Sequence, residues 1–178
     1  MDALIFDFDG LILDTEWPAY VSAADEYAAH GVELTLDQWQ HRIGRGDNGP
    51  WTELLSEHVT DLDHDAVDQR RRARKNRLTD AQPLQPGVVE LLDVAARRGL
   101  GAAVASSSPI SWVSRHLDRH GLIDRFGAIR TRDHVERAKP WPDVFLAAAE
   151  ALDIDPERAI ALEDSVNGVI AAKAAGMF

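Results

Sequence analysis

Ala3-Leu-Ile-Phe6 is apolar at every position and stops abruptly at Asp7-Phe-Asp-Gly10. A strand with one face in water would alternate, so an unbroken apolar run predicts a strand buried on both faces of a parallel sheet. The next segment does not continue the sheet. From about Thr15 to Asp80 the pattern turns helical, with Trp17, Tyr20, Val21, Ala24 and Ala28 spaced to share one helix face, and no strand signal intervenes. Pro83-Leu-Gln-Pro86-Gly87 punctuates the chain, and Val88, Leu91, Leu92 and Ala95 then predict a helix stopped at Gly99. Beyond it strands and helices alternate. Ala102–Ala105 precedes a helix over Trp112–His120, Ala128–Thr131 precedes Val144–Leu152, and Ala159–Leu162 precedes Val166–Ala175. One strand before residue 10 and this alternation after residue 87 predict an α/β chain, a doubly wound parallel sheet interrupted by a helical insertion.

The bulk numbers narrow the function classes. At 178 residues, 45% apolar and 28% charged, the chain can bury a core without a staple. It has no cysteine, which rules out disulfides and thiolate metal sites and fits a reducing compartment. The first residues carry no basic leader, and their apolar run is too short for a signal peptide or membrane span, so a cytoplasmic location is expected. Nineteen Lys and Arg against thirty Asp and Glu give a net charge of −11, which argues against nucleic acid and anionic membranes as partners. An anionic substrate would have to be held by local charge.

In open parallel sheets ligands bind beyond the carboxyl ends of the strands, so the residues just after each apolar run are the informative ones. After the first come Asp7 and Asp9; after the second, Ser106, Ser107 and Ser108; before a helix in the third unit, Lys139-Pro140; after the fourth, Glu163-Asp164. A carboxylate can attack phosphorus to give an acyl phosphate, and Asp7 is placed for that role. A second carboxylate two residues later, Asp9, can protonate the leaving oxygen and then take a proton from the attacking water. The tight turn is permitted by Gly10. A dianionic phosphate approaching Asp7, Glu163 and Asp164 meets only Lys139 as obvious positive charge, so a cation is required; Mg²⁺ suits this ligand set. Ser106 and the groups after it, Ser107 included, can donate hydrogen bonds to phosphoryl oxygens.

These residues resemble the haloacid dehalogenase superfamily of phosphohydrolases, in the branch holding β-phosphoglucomutases and sugar-phosphate phosphatases. The resemblance rests on four segments in order: Ile5-Phe-Asp-Phe-Asp-Gly-Leu-Ile-Leu-Asp-Thr15, Val104-Ala-Ser-Ser-Ser108, Ala138-Lys-Pro-Trp-Pro-Asp143 and Leu162-Glu-Asp-Ser-Val-Asn-Gly168. It implies a Rossmann-like core from residues 1–14 and 83–178, with residues 15–82 as an inserted four-helix cap and Thr15 at the junction. It further implies that Asp7 and Glu163 or Asp164 ligate Mg²⁺ through side chains and Asp9 through its backbone carbonyl. Lys75 resembles a cap lysine that contacts substrate phosphate in the mutase branch. The family ordinarily continues with another core strand and helix beyond Phe178, so part of the core is expected to be missing from these residues.

The expected activity is therefore Mg²⁺-dependent hydrolysis of a small phosphorylated metabolite, a sugar or polyol phosphate, through an aspartyl phosphate. The monomer is the default and a dimer is open. A phosphosugar mutase is the alternative: the mutases carry a histidine and an arginine where this chain has Ala19 and Asp47, but Lys75 keeps that reading alive. A protein that binds phosphometabolites without turnover is the second. Plainer roles are also open for single segments. The serines could cap the helix that Pro109 opens, and Glu163-Asp164-Ser165 could start a helix. Arg70 to Arg77 reads as a solvated helix face, His116 and His120 as a surface pair, and Trp17 and Trp51 either line the pocket or pack.

Overall fold

The computed structural model describes residues 1–40 and 52–178, so Asp47 and Trp51 lie outside the described residues. Its contacts divide the chain into two compact units, residues 1–13 with 83–178, and residues 14–82.

The first unit is a four-stranded parallel sheet with helices on both faces. Strands β1 (Ala3–Phe6), β2 (Gly101–Ser106), β3 (Ala128–Thr131) and β4 (Ala159–Leu162) lie in the order β3-β2-β1-β4. The sheet therefore grows one way from β1 to β3 and reverses to place β4 on the other side of β1. Such a reversal opens a crevice at the carboxyl ends of the strands. Register matters as much as order: Phe6 pairs with Leu162 across the β1–β4 ladder, so Asp7 and Glu163 leave the sheet at the same level.

Alternation decides what covers each face. Leu4, Phe6 and Val104 meet Val88 and Leu92 of α5 (Val88–Arg97) and Val113 and Leu117 of α6 (Ile110–Arg119). Ile5, Ala103 and Ala105 meet Val144, Phe145 and Ala148 of α7 (Asp143–Ala151) and Ala171 and Ala172 of α8 (Val166–Ala174). Each fully buried Leu, Ile or Phe contributes about 1.5–3 kcal/mol relative to exposure. The second face is built mainly from alanine, so helices seat on it through methyl groups.

The second unit holds α1 (Glu16–Ala29), α2 (Leu36–Gln40), α3 (Glu53–Ser56) and α4 (His64–Asp80). Its small core gathers Ala23 and Tyr27 of α1 with Leu34, Leu55 and Val67. The face expected for α1 is therefore rotated: Pro18, Ser22, Ala23 and Tyr27 are buried, Tyr20 and Ala24 are only partly so, and Trp17 and Ala28 are exposed. Tyr27 is the reason, since a large ring next to the small Ala23 fills the contact with α4. The basic stretch of α4 is not merely solvated. Arg70 grips Glu26 at 2.9 Å, Arg74 pairs with Asp25 at 2.9 Å, and Arg71 and Arg72 both engage Asp68. Among the described residues no helix is long and apolar enough to cross a membrane.

Candidate active site

Past β1 the chain folds back at once. Gly10, at φ +87°, donates its N–H to the carbonyl of Leu13 at 2.8 Å, and Ile12 N–H reaches the Phe8 carbonyl at 3.0 Å. Gln85 ties this loop from the start of α5, donating from its side chain to the Gly10 carbonyl at 3.1 Å and from its backbone to Ile12 at 3.0 Å. The turn holds Asp7 and Asp9 in different surroundings.

Asp7 is buried beside Lys139 and Glu163. The Lys139 ammonium donates to Asp7 Oδ1 and, at 2.7 Å, to Glu163 Oε2, with all three side chains at most 8% exposed. The same Nζ lies 4.8 Å from the centre of the Phe145 ring. Burial pushes the Asp7 carboxyl up to about 7 against the pull of Lys139, and the nearby charges of Glu163 and Asp9 push the same way. Asp164, on the solvent side, is likewise raised, first by desolvation and then by Glu163.

Two glycines let these carboxylates approach. A methyl group at Gly168 would lie 1.9 Å from the Glu163 carboxyl carbon, and one at Gly10 would lie 2.1 Å from Asp164 Oδ2. Ser165 caps α8 by accepting from Gly168 N–H at 3.0 Å and donates at 2.8 Å to Glu163 Oε1. The segment therefore both starts a helix and contributes to the site.

Oxygen atoms of Asp7, Glu163 and Asp164 all lie within 4.8 Å of one another, the one such cluster among the described residues. With Asp9 this makes four carboxylates around a single ammonium. The donor set, hard oxygens with an excess of negative charge, fits a small dication better than it fits any neutral ligand.

Asp9 has neutral partners. Its Oδ1 accepts from the indole N–H of Trp112 at 3.0 Å, and its Oδ2 accepts from Ser108 Oγ at 2.5 Å and, weakly, from Ser106 Oγ at 3.5 Å. The serines do not cap α6. The Ser106 hydroxyl accepts from Ser108 N–H at 3.0 Å, while the first N–H of α6, Ile110, is satisfied by Asp133 at 2.7 Å. Ser107 Oγ is buried with no hydrogen-bond partner among the described residues. A hydroxyl in that state costs about 1–3 kcal/mol unless a ligand satisfies it.

The structure thus brings Asp7, Asp9, Ser106, Ser107, Lys139, Glu163 and Asp164 to the carboxyl edge of the sheet within one unit. Lys75 and Ala19 belong to the other unit, in α4 and α1. Trp112 and Gln85 were not singled out by the sequence, which named Ser108 with its neighbouring serines and Ser165 as part of a helix start. The histidines need correction: His116 is not on the surface but in the core, stacked on Phe8 at 6.1 Å and edge-on to Trp112 at 4.4 Å. Burial, with Arg119 beside it, pushes the His120 imidazole down.

A parallel sheet reversing its strand order over a carboxylate pair, with a lysine and two further acids at the adjacent strand ends, defines a class of hydrolase. The chain belongs to the haloacid dehalogenase-like hydrolases, whose family profile matches residues 1–176. It is 44% identical over 176 residues to YhcW of Bacillus subtilis (strain 168), a candidate phosphatase by name, covering 98% of this chain and 80% of that one. Hexitol phosphatase B of Escherichia coli (strain K12) is 34% identical over 192 residues, with 98% and 80% covered. Among solved structures, a candidate β-phosphoglucomutase from Thermotoga maritima superimposes with a TM-score of 0.85 at 29% identity, covering 99% of this chain and 82% of that one.

Proposed function

We propose that the chain is a Mg²⁺-dependent phosphatase of small phosphorylated metabolites, sugar or polyol phosphates, working through an aspartyl phosphate on Asp7. The observation that carries this reading is the buried Asp7 carboxylate held by Lys139 beside Glu163, two residues before a second carboxylate with separate partners. An Asp7 oxygen attacks phosphorus, the bond to the leaving oxygen breaks, and that oxygen takes a proton from Asp9. Asp9, now ionised, accepts a proton from the water that attacks the acyl phosphate. Inorganic phosphate leaves, and the Asp7 carboxylate is restored with Asp9 protonated again.

Asp7, Glu163 and Asp164 would hold Mg²⁺ by side chains, with the Asp9 carbonyl as a further ligand. The ion supplies charge compensation for the incoming dianion. Lys139 orients Asp7 and balances charge at the transferring group, and Ser106 and Ser107 receive phosphoryl oxygens. Lys75 as a contact to the substrate is part of the same proposal, as are a cytoplasmic location and a monomeric working unit. Several relatives support the substrate class by name, among them the hexitol phosphatase and the fructose-1-phosphate phosphatase YqaB of Escherichia coli (strain K12).

The test is phosphate release from a panel of sugar and polyol phosphates, with and without Mg²⁺, beside Asp7→Asn. Release that needs both Mg²⁺ and Asp7 supports the reading, and a Mg²⁺-loaded protein silent across the panel overturns it. The T. maritima neighbour, a candidate β-phosphoglucomutase by name, favours a second reading, a phosphosugar mutase. Conversion of β-glucose 1-phosphate to glucose 6-phosphate in a coupled assay would favour that instead.

A further inference from the structure

We infer that Trp112 is a positioning residue for the reaction, fixing one oxygen of Asp9 so that the other is presented for proton exchange. The inference rests on the proposed role of Asp9 as acid and base.

Two contacts carry it. The indole N–H of Trp112 donates to Asp9 Oδ1 at 3.0 Å, and an indole can only donate. Oδ1 is thereby kept as an acceptor throughout. On the other oxygen stands a hydroxyl, Ser108 Oγ at 2.5 Å from Oδ2, which can turn to donate or accept. The two partners therefore treat the two oxygens of one carboxylate unequally.

Trp112 is itself held. Its ring meets the His116 ring edge-on at 4.4 Å and 73°, and His116 stacks on Phe8 at 6.1 Å and 30°. Phe8 lies in the chain between Asp7 and Asp9 and is buried, as is His116. Thus the orientation of Asp9 is referred back, through two rings, to the strand end that also sets Asp7. Without the indole N–H, Asp9 keeps only serine hydroxyls among the described residues, and its carboxylate can turn about its last torsion.

The effect should depend on the leaving group. An alkoxide leaving from a polyol phosphate needs a proton in the transition state, whereas p-nitrophenolate leaves without one. Trp112→Phe removes the donor and keeps a ring against His116. The expected result is a fall in kcat/KM of about 10- to 100-fold on sorbitol 6-phosphate, the size of a lost hydrogen bond to a charged group. On p-nitrophenyl phosphate the expected fall is under about threefold. In an Asp9→Asn background the same change should cost nothing further, because a residue acting through Asp9 has nothing left to position.

Equal losses on both substrates, or an undiminished loss in the Asp9→Asn background, overturn the inference. Should Trp112→Phe fail to fold, replacing Trp112 by β-(3-benzothienyl)alanine, in which sulfur takes the place of the indole N–H in a ring of nearly the same shape, carries the same test with the same selectivity expected. A wild-type protein silent across the whole panel of sugar and polyol phosphates overturns the proposed function on which this inference rests, whereas an active wild type whose Trp112→Phe variant shows no selectivity overturns this inference alone.

Discussion

Asp7 and Asp9 are the same residue type two positions apart, yet the two walls of the crevice treat them differently. Asp7 is buried among charges, with Lys139 and Glu163 in contact and Asp164 nearby. Asp9 is held by an indole and two hydroxyls, with no cation among the hydrogen-bond partners that the described residues give its side chain. The first arrangement makes a carboxylate that is costly to keep ionised until a cation arrives. The second makes one that is aimed by neutral donors. One fold thus gives the two carboxylates different environments, as the proposed division into a nucleophile and an acid and base requires.

The sharpest way to break this contrast is Asp7→Asn. Turnover should fall by at least about 10⁴-fold, since the amide is no nucleophile, measured as phosphate release at saturating Mg²⁺. The same substitution should stabilise the metal-free protein at neutral pH. Because the folded carboxyl is raised to about 7, the folded state binds the extra proton, and that contribution to stability is full at acid pH and lost as pH rises to about 7. Thermal midpoints against pH, in EDTA, should slope down through this window for wild type and flatten for Asp7→Asn.

Lys139→Met should come next. It leaves Asp7 and Glu163 without their common cation, at a cost of about 3–5 kcal/mol for breaking a buried pair. Urea midpoints would show it, and added Mg²⁺ should recover part of the loss. Gly168→Ala acts on the same wall more gently: its methyl would overlap Glu163, so Mg²⁺ affinity by calorimetry should weaken about 10-fold or more. Arg74→Ala, in the helical unit, removes an exposed pair with Asp25 and should change stability by at most about 0.5 kcal/mol, with activity unchanged.

Much of the charged wall was legible because Asp7 and Glu163 each come directly after an apolar strand, and a parallel sheet brings strand ends together. Ser106 ends its own strand, and Lys139 could be read from its place before α7. The neutral wall was not readable in the same way. Trp112 reaches Asp9 from the first turn of α6, and that turn's rotation is set by Val113 and Leu117 packing inward, which spacing alone leaves open. His116 was misread for a related reason: a polar type on a helix predicts water, whereas here two aromatic rings enclose it. In the helical unit the apolar residues of α1 are distributed broadly enough that periodicity selects the wrong face, and the buried Tyr27 reveals the right one.

The alanine face of the sheet has one more consequence. Lys139 and Glu163 stand just before α7 and α8, and both helices share one core cluster with Ile5 of β1 and Ala103 and Ala105 of β2 in which most of the side chains are alanine methyl groups. Such a bearing has almost no slack, because alanine has no rotamer with which to absorb a shift. A single added carbon at Ala148 or Ala171 would therefore be transmitted as a displacement of a whole helix, and the gap between an ammonium and a carboxylate would register it. The spacing on which the charged wall depends is, in this sense, gauged by the smallest side chains in the molecule.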